Sequence, residues 1–432
     1  MYLKRRLAVL LVGLVALSVF SGCVKKTKRI DQQKKDLIQF WVAENFEGEG
    51  KQWEKVVEKY NNDNPDVKVE LSVKPWDRTP LNVALQAKKP PDVVFHYFSD
   101  ELPADAYEDL RVDLMDYLTP QEKEDFGPEI IQKFTNSKGK MYNWPWFIFQ
   151  TAWMIGNGDL LKQAGLDPEQ IQNDGWTWEN FINTCKKTSD GERYGYGDAQ
   201  SPETVNLLLN GLAGPIVSTT KPVEFNWGTQ AALNVMKNYR DLIYKDKVMP
   251  KEVLGIDVFG LHEKFQRKEF SIIRSWIAWI PDLEEKGNIS KIYILPYPQM
   301  DNKEVKLNVG SGGWSVFRQE PSQGEAHLEK VIAFVKYISK PMAGEFIPSN
   351  WSGLPASRSD REEFLPQMTK DDPNIALVAK FLESGSMTPA LPTVAKKMNE
   401  IVKTYTSEAM SGKITAKQAV EKWSAEAGKL LN

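Results

Sequence analysis

The chain has 432 residues, 41% of them hydrophobic and 26% charged, which is enough to bury a large core and, by length, to build two or three domains. A net charge of -3 argues against a nucleic-acid partner, and the three histidines, His96, His262 and His327, stand far apart with no HxH or HExxH spacing, so no metal site is expected. Two cysteines make no disulfide framework; the outlying count is 14 tryptophans, which are costly at a surface unless something flat and apolar stacks on them.

The chain opens with a processing signal. Lys4, Arg5 and Arg6 precede the apolar run Leu7 to Phe20, which is shorter than the ~20 residues that span a bilayer but suits a signal-peptide core. Ser21 and Gly22 then lead to Cys23. This resembles a bacterial lipobox, which implies cleavage before Cys23 and lipidation of its thiol; Phe20 departs from the usual Leu, and an ordinary secreted protein is the alternative. Removal of 1–22 takes away three positive charges and no negative ones. Residues 23–36 read as a polar, largely basic tether. No other apolar run approaches spanning length, so the mature protein is expected outside the cytoplasm, held to the membrane by lipid alone.

Beyond the tether, Leu37–Val42 predicts a strand, and Trp53, Val56, Val57 and Tyr60 repeat at helical spacing. Val67–Val73 alternates as a strand does, a short helix covers Leu81–Ala87, and Pro91–Tyr97 is a β-branched strand behind a Pro-Pro breaker. Strand, helix, strand, helix, strand predicts an α/β layer with parallel strands, whose ligands gather at the carboxyl ends. Those ends hold Glu44 and Asn45, Trp76 and Asp77, and His96 and Tyr97. Further on, Asp159–Gly165 predicts a short helix closed by Gly165. Thr177 caps a helix that buries Cys185 as an inert thiol, and 228–244 is amphipathic. Phe270–Leu283 begins as a buried strand and breaks at Pro281, Val305–Phe317 reads as strand, glycine turn, strand, and 325–339, 392–410 and 415–431 read as helices.

Taken in order, PDVVFHYFSDELPADAYEDLRVDL, GKMYNWPWFIFQTAWMIGNGDLLKQAGLD with TWENF, FQRKEFSIIRSWIAWIPDL, NVGSGGWSVF, SGLPASRSD and the final helical pair resemble the extracellular solute-binding proteins of ABC importers. The resemblance runs from about 37 to 432 and is to the sugar-binding cluster that includes maltose-binding protein. It implies an α/β, two-lobe periplasmic-binding-protein (Venus-flytrap) fold. One lobe would comprise 37–145 and 313–342, the other 151–308 and 350–432. The crossings would lie near 145–150, 310–313 and 347–352, with Gly310, Gly312 and Gly313 suited to a hinge. The function implied is non-catalytic capture of a carbohydrate, expected to be an oligosaccharide, and its delivery to ABC permease subunits in the membrane by a monomer that needs no cofactor.

Sugars present C–H faces and hydroxyl rims, so a site needs flat aromatics and paired polar groups. Trp276 matches the family's stacking tryptophan, with Arg274 beside it as a hydroxyl donor; core packing of Trp276 and Trp279 is the alternative reading. Trp146, Glu44, Asn45, Asp77, His96, Tyr97, Gly313, Trp314, Trp351 and Arg358 complete the candidate set, with Asp198 and Gln200 as weaker members. Competing functions are a secreted carbohydrate-active enzyme, although no GxSxG, HExxH or P-loop motif occurs, and a binder of a non-sugar solute.

Overall fold

The computed structural model describes residues 36–43, 49–74, 79–96, 105–149, 153–218, 223–318, 324–340, 353–371, 374–385 and 391–431. The first half of the described chain runs β1 (Asp36–Ala43), α1 (Glu49–Asp63), β2 (Val67–Lys74), α2 (Thr79–Gln86), β3 (Val93–His96), α3 (Pro120–Phe134), β4 (Asn143–Phe149), β5 (Trp153–Asn157), α4 (Gly158–Gln163), α5 (Pro168–Asp174), α6 (Trp178–Lys187) and β6 (Tyr194–Gly197). The second half runs α7 (Ser201–Ala213), α8 (Gln230–Tyr244), α9 (Val258–Gln266), β7 (Phe270–Ser275), α10 (Ile280–Gly287), β8 (Ile292–Leu295), β9 (Gly310–Val316), α11 (Gly324–Ile338), β10 (Gly353–Pro355), α12 (Arg358–Asp371), α13 (Asn374–Ser384), α14 (Thr393–Met410) and α15 (Ala416–Lys429). The fold is mixed α/β, with two sheets flanked by helices.

The first sheet has the order β10-β4-β9-β3-β1-β2. β1 pairs in parallel with β2 and with β3, so Ala43, Lys74 and His96 end at one edge. The alternation in β1 buries Ile38, Phe40 and Val42, and α1 covers them with Trp53, Val56, Val57 and Tyr60, the helical stripe that the sequence shows. β9 runs antiparallel between β3 and β4, and β10 caps the far side of β4. The second sheet has the order β6-β7-β5-β8, in which β5 opposes both β7 and β8 while β6 and β7 are parallel. The C-terminal α14 packs on α7, α8 and α15.

Local chemistry sets the helix starts. Thr119 and Glu122 form a reciprocal capping box on α3, Thr177 accepts the Asn180 N–H on α6, and Thr415 with Gln418 repeats the box on α15. Cys185 is fully buried in α6, and burial pushes its thiol up.

One expectation changes. Val305–Phe317 is not a strand, turn and strand: Gly310–Val316 is one continuous strand, fully buried. Its glycines make room. A Cβ on Gly312 would fall on the Phe147 ring and one on Gly313 on the Trp144 carbonyl, so close packing selects them and not a turn. Residues 145–149 lie in β4, and Gly310, Gly312 and Gly313 lie in β9. Gly353–Pro355 pairs with β4 in the first sheet. Pro281 sits in the first turn of α10; β7 has already ended at Ser275.

Candidate functional site

At the second sheet, β6, β7 and β8 all point the same way, because β6 parallels β7 and both β7 and β8 oppose β5. Their carboxyl ends form one edge, where an open α/β sheet takes its ligands. Asp198 follows β6, Arg274 lies one residue inside the end of β7, Trp276 is the first residue past that end, and Tyr297 stands two residues beyond β8. Three strand ends thus bring a carboxylate, a guanidinium and a phenol to one place, with the Trp276 indole two residues on from Arg274.

A buried polar network underlies this edge. The Arg274 guanidinium donates from Nη1 to the Gln200 side-chain oxygen. The Gln200 backbone N–H donates to Asp198 Oδ1 at 2.8 Å, and Ser201 Oγ donates to the Asp198 carbonyl at 3.0 Å. Tyr239, from α8, donates its hydroxyl to Asp198 Oδ2, and the hydroxyls of Tyr196 and Tyr239 stand 3.1 Å apart. Gln200 precedes α7, yet its side chain makes no cap bond to that helix; it serves Arg274. Burial alone would favour a neutral Arg274, but Asp198 together with Tyr297, Tyr196 and Tyr239 outweighs it and holds the guanidinium charged. Burial, with Asp198 adding to it, pushes the hydroxyls of Tyr196 and Tyr239 well up. Arg274 is 9% exposed and Tyr297 8%. Among the described residues, Arg274 Nε and the Tyr297 hydroxyl have no hydrogen-bond partner.

Trp276 stands apart from its kind. Of the twelve tryptophans within the described residues, Trp53, Trp144, Trp146, Trp153, Trp176, Trp227, Trp314 and Trp423 are buried, and Trp276 alone is exposed, at 42%. Its backbone is fixed: its carbonyl accepts the Trp279 N–H at 3.2 Å and the Ser275 hydroxyl at 3.4 Å. Ser275 Oγ in turn lies 2.8 Å from His262 Nε2. Burial pushes the His262 imidazole down to about 4, so it is neutral at ordinary pH, and its ring packs 5.3 Å from that of half-buried Trp279.

The other expected residues scatter. Trp146 and Trp314 do not share the exposure of Trp276. Both are buried in the core of the first sheet, their ring centroids 4.5 Å apart, with Trp53 and Phe95 against them. An irregularity between Pro145 and Phe147 breaks the alternation of β4. Gly313 pairs with His96 in mid-sheet, buried. Arg358 is exposed at the start of α12, near Gly127 of α3, in the layer on the first sheet. His96 ends β3, its side chain outside the described residues; Cys23, Glu44, Asn45, Asp77, Tyr97 and Trp351 also lie outside them. Gln200, weak on sequence, bonds Arg274 directly, and Asp198, also weak, joins it through the Gln200 N–H. Tyr196, Tyr239 and Tyr297 were not legible, although their place at or just past a strand or on the facing helix is a usable signal once the strands are drawn. Among the described residues no group of three or more His, Cys, Asp or Glu is placed to hold a metal ion, and no helix is long and apolar enough to cross a membrane.

The model of one family, the bacterial extracellular solute-binding proteins, matches residues 43–345. Solved structures share the fold at low identity. The GacH receptor of Streptomyces glaucescens, determined unliganded and with acarbose, is 17% identical at a TM-score of 0.73, over 92% of this chain and 98% of that one. The maltose/maltodextrin-binding domain MalE of Bdellovibrio bacteriovorus, bound to maltotriose, is 18% identical at 0.70, over 91% and 99%. An ABC substrate-binding protein of Listeria monocytogenes, in complex with cycloalternan, is 17% identical at 0.72, over 91% and 98%. An uncharacterized lipoprotein from the oleD 5′ region of Streptomyces antibioticus is 29% identical over 164 residues, 37% of this chain; the match spans 35% of that relative's length.

Proposed function

The chain belongs to the bacterial extracellular solute-binding protein family, a family of binding proteins and not of enzymes, and on that premise we propose that it captures a carbohydrate at the carboxyl edge of the second sheet. The observation that carries this is the exposure of Trp276, at 42%, beside a buried polar network, in a protein that buries most of its described tryptophans. A flat, partly exposed indole takes the C–H face of a sugar ring, and the polar groups behind it take hydroxyls. The carbohydrates named with the structural relatives agree with this reading.

The ligand lies between this edge and the corresponding edge of the first sheet, where Ala43, Lys74 and His96 end. An oligosaccharide gripped from both sides favours a closed state through its higher affinity for that state; hinge closure of this kind is the usual behaviour of periplasmic binding proteins. The protein acts as a monomer, anchored outside the cytoplasm through lipidated Cys23, and hands its ligand to the permease subunits of an ABC transporter. The tether raises its effective concentration there. The lipoprotein relative supports the anchor.

The test is incubation with a panel of mono- and oligosaccharides, following tryptophan fluorescence and product release together. Binding of one sugar class without turnover is the expected result. No response to any sugar contradicts the reading, and release of products contradicts the assignment as a binder. Failure of Cys23→Ala to abolish lipid labelling would remove the anchor while leaving the binding claim standing.

A further inference from the structure

The polar network beneath Trp276 carries a charge that its own residues neutralise. Arg274 is a buried cation at a ligand edge, and alone it would be a natural seat for a ligand carboxylate, which an arginine fork grips with two parallel bonds. Here one arm of the fork is already engaged. Nη1 donates to Gln200, the Gln200 N–H binds Asp198 Oδ1, and Asp198 is also held by the Tyr239 hydroxyl. One buried carboxylate thus stands against one buried guanidinium, with a glutamine linking them and both residues at least nine-tenths buried. Among the described residues, what remains for a ligand is the rest of the Arg274 N–H groups, Nε–H among them, and the Tyr297 hydroxyl, which both donates and accepts. These groups suit hydroxyl or ring oxygens.

We propose that the site selects uncharged carbohydrates over acidic ones such as uronides, and that Asp198 is the residue that decides this by compensating Arg274 within the protein. The inference rests on the carbohydrate reading and refines it. A ligand carboxylate would lose its hydration on entering and meet a cation whose charge is already balanced, with Asp198 repelling it. A neutral sugar pays no such cost. Asp198 touches the ligand only through Arg274 and Gln200, so it is a positioning and specificity residue.

The experiment offers the full chain two pools of short oligosaccharides, one from hydrolysed starch, cellulose, xylan and mannan, the other from hydrolysed polygalacturonate and alginate. Thermal shift and native mass spectrometry read the binding. The wild type is expected to bind a component of the neutral pool and to bind uronides at least about tenfold more weakly. Asp198→Asn unmasks the cation and is expected to narrow or reverse that preference by about tenfold or more, which loss of a merely structural group would not do. Equal weakening towards both pools in a folded Asp198→Asn protein overturns the proposal, as does a wild type that prefers uronides. If the variant does not fold, the salt dependence of the wild type decides: affinity for the neutral component holds from low to high ionic strength, and a steep fall overturns the inference. Binding to neither pool refutes the carbohydrate reading itself, and this inference with it.

Discussion

Trp146 and Trp314 lie ring against ring in the first sheet, centroids 4.5 Å apart and planes inclined by 36°. Trp53 meets Trp314 edge-on at 5.3 Å, and Phe40 and Phe95 complete the cluster at 5.6 and 5.1 Å from Trp314. A tilted and edge-to-face aromatic core of this kind exploits ring quadrupoles as well as buried area. The cluster ties α1, β1, β3, β4 and β9 together, so the segments brought in from 143–149 and 310–316 are locked to the N-terminal strands.

Trp314→Ala is therefore expected to cost about 3–5 kcal/mol of stability, the usual loss for a large buried aromatic. Denaturant unfolding gives the value. Ligand affinity in the folded fraction should stay unchanged, which separates Trp314 from Trp276.

Gly312 answers to packing. A Cβ there would overlap the fully buried Phe147 ring. Gly312→Ala is expected to destabilise by about 1–3 kcal/mol through overpacking. Adding Phe147→Leu should give a double-mutant cycle with favourable coupling, since the second change relieves the clash the first creates. Strict additivity in that cycle would contradict the contact.

His327 on α11 ties the start of β1 to the start of β3. Nδ1 meets Asp36 and Nε2 meets Asp92, each at 2.8 Å, while Lys330 reaches Asp36 at 3.3 Å and Asp66 at 3.8 Å. The bond to Asp92, joined by Asp36 and opposed by burial, raises the imidazole above its usual range. Burial works to raise Asp36, but His327 and Lys330 outweigh it and hold that carboxyl below its usual range. The raised histidine stabilises fully below its unfolded pKa of about 6.5 and less as pH climbs through its folded value; the lowered aspartate stabilises above about 3.9 and less as pH falls through its folded value. The staple is strongest between those limits. Melting temperatures of wild type and His327→Gln should differ more near pH 5.5 than near pH 9, and an equal gap at both would refute the charged staple.

The parallel core was legible because periodicity writes it directly: β1 and β2 alternate, α1 repeats its stripe, and Thr177 caps α6 as its position demands. β9 was misread because GSGG carries the signature of a turn, and only the rings of Phe147 and Phe149 across the strand pair give the glycines their meaning. Tryptophan number misled in the same way. A count cannot say which indoles face a core: the break at Pro145 and the Trp314 ring beside it account for the burial of Trp146. The position of Trp276 and Arg274 at the end of an apolar strand was legible. Tyr239 and Tyr297 were not, since they reach Asp198 and Arg274 from 41 and 23 residues away along the chain.

The most direct measurement takes Trp276→Ala and determines both its sugar affinity and its melting temperature. A ring-on-sugar contact is worth about 0.5–1.5 kcal/mol beyond its area, by analogy with aromatic pairs, and the apolar area adds about 25 cal/mol per Å². Affinity should therefore fall by about one to two powers of ten, with Trp276→Phe keeping part of it. Stability should change little, because the side chain is already 42% exposed. A protein that melts much lower but binds its sugar as tightly as the wild type would make Trp276 a structural residue and contradict the site proposed for this chain.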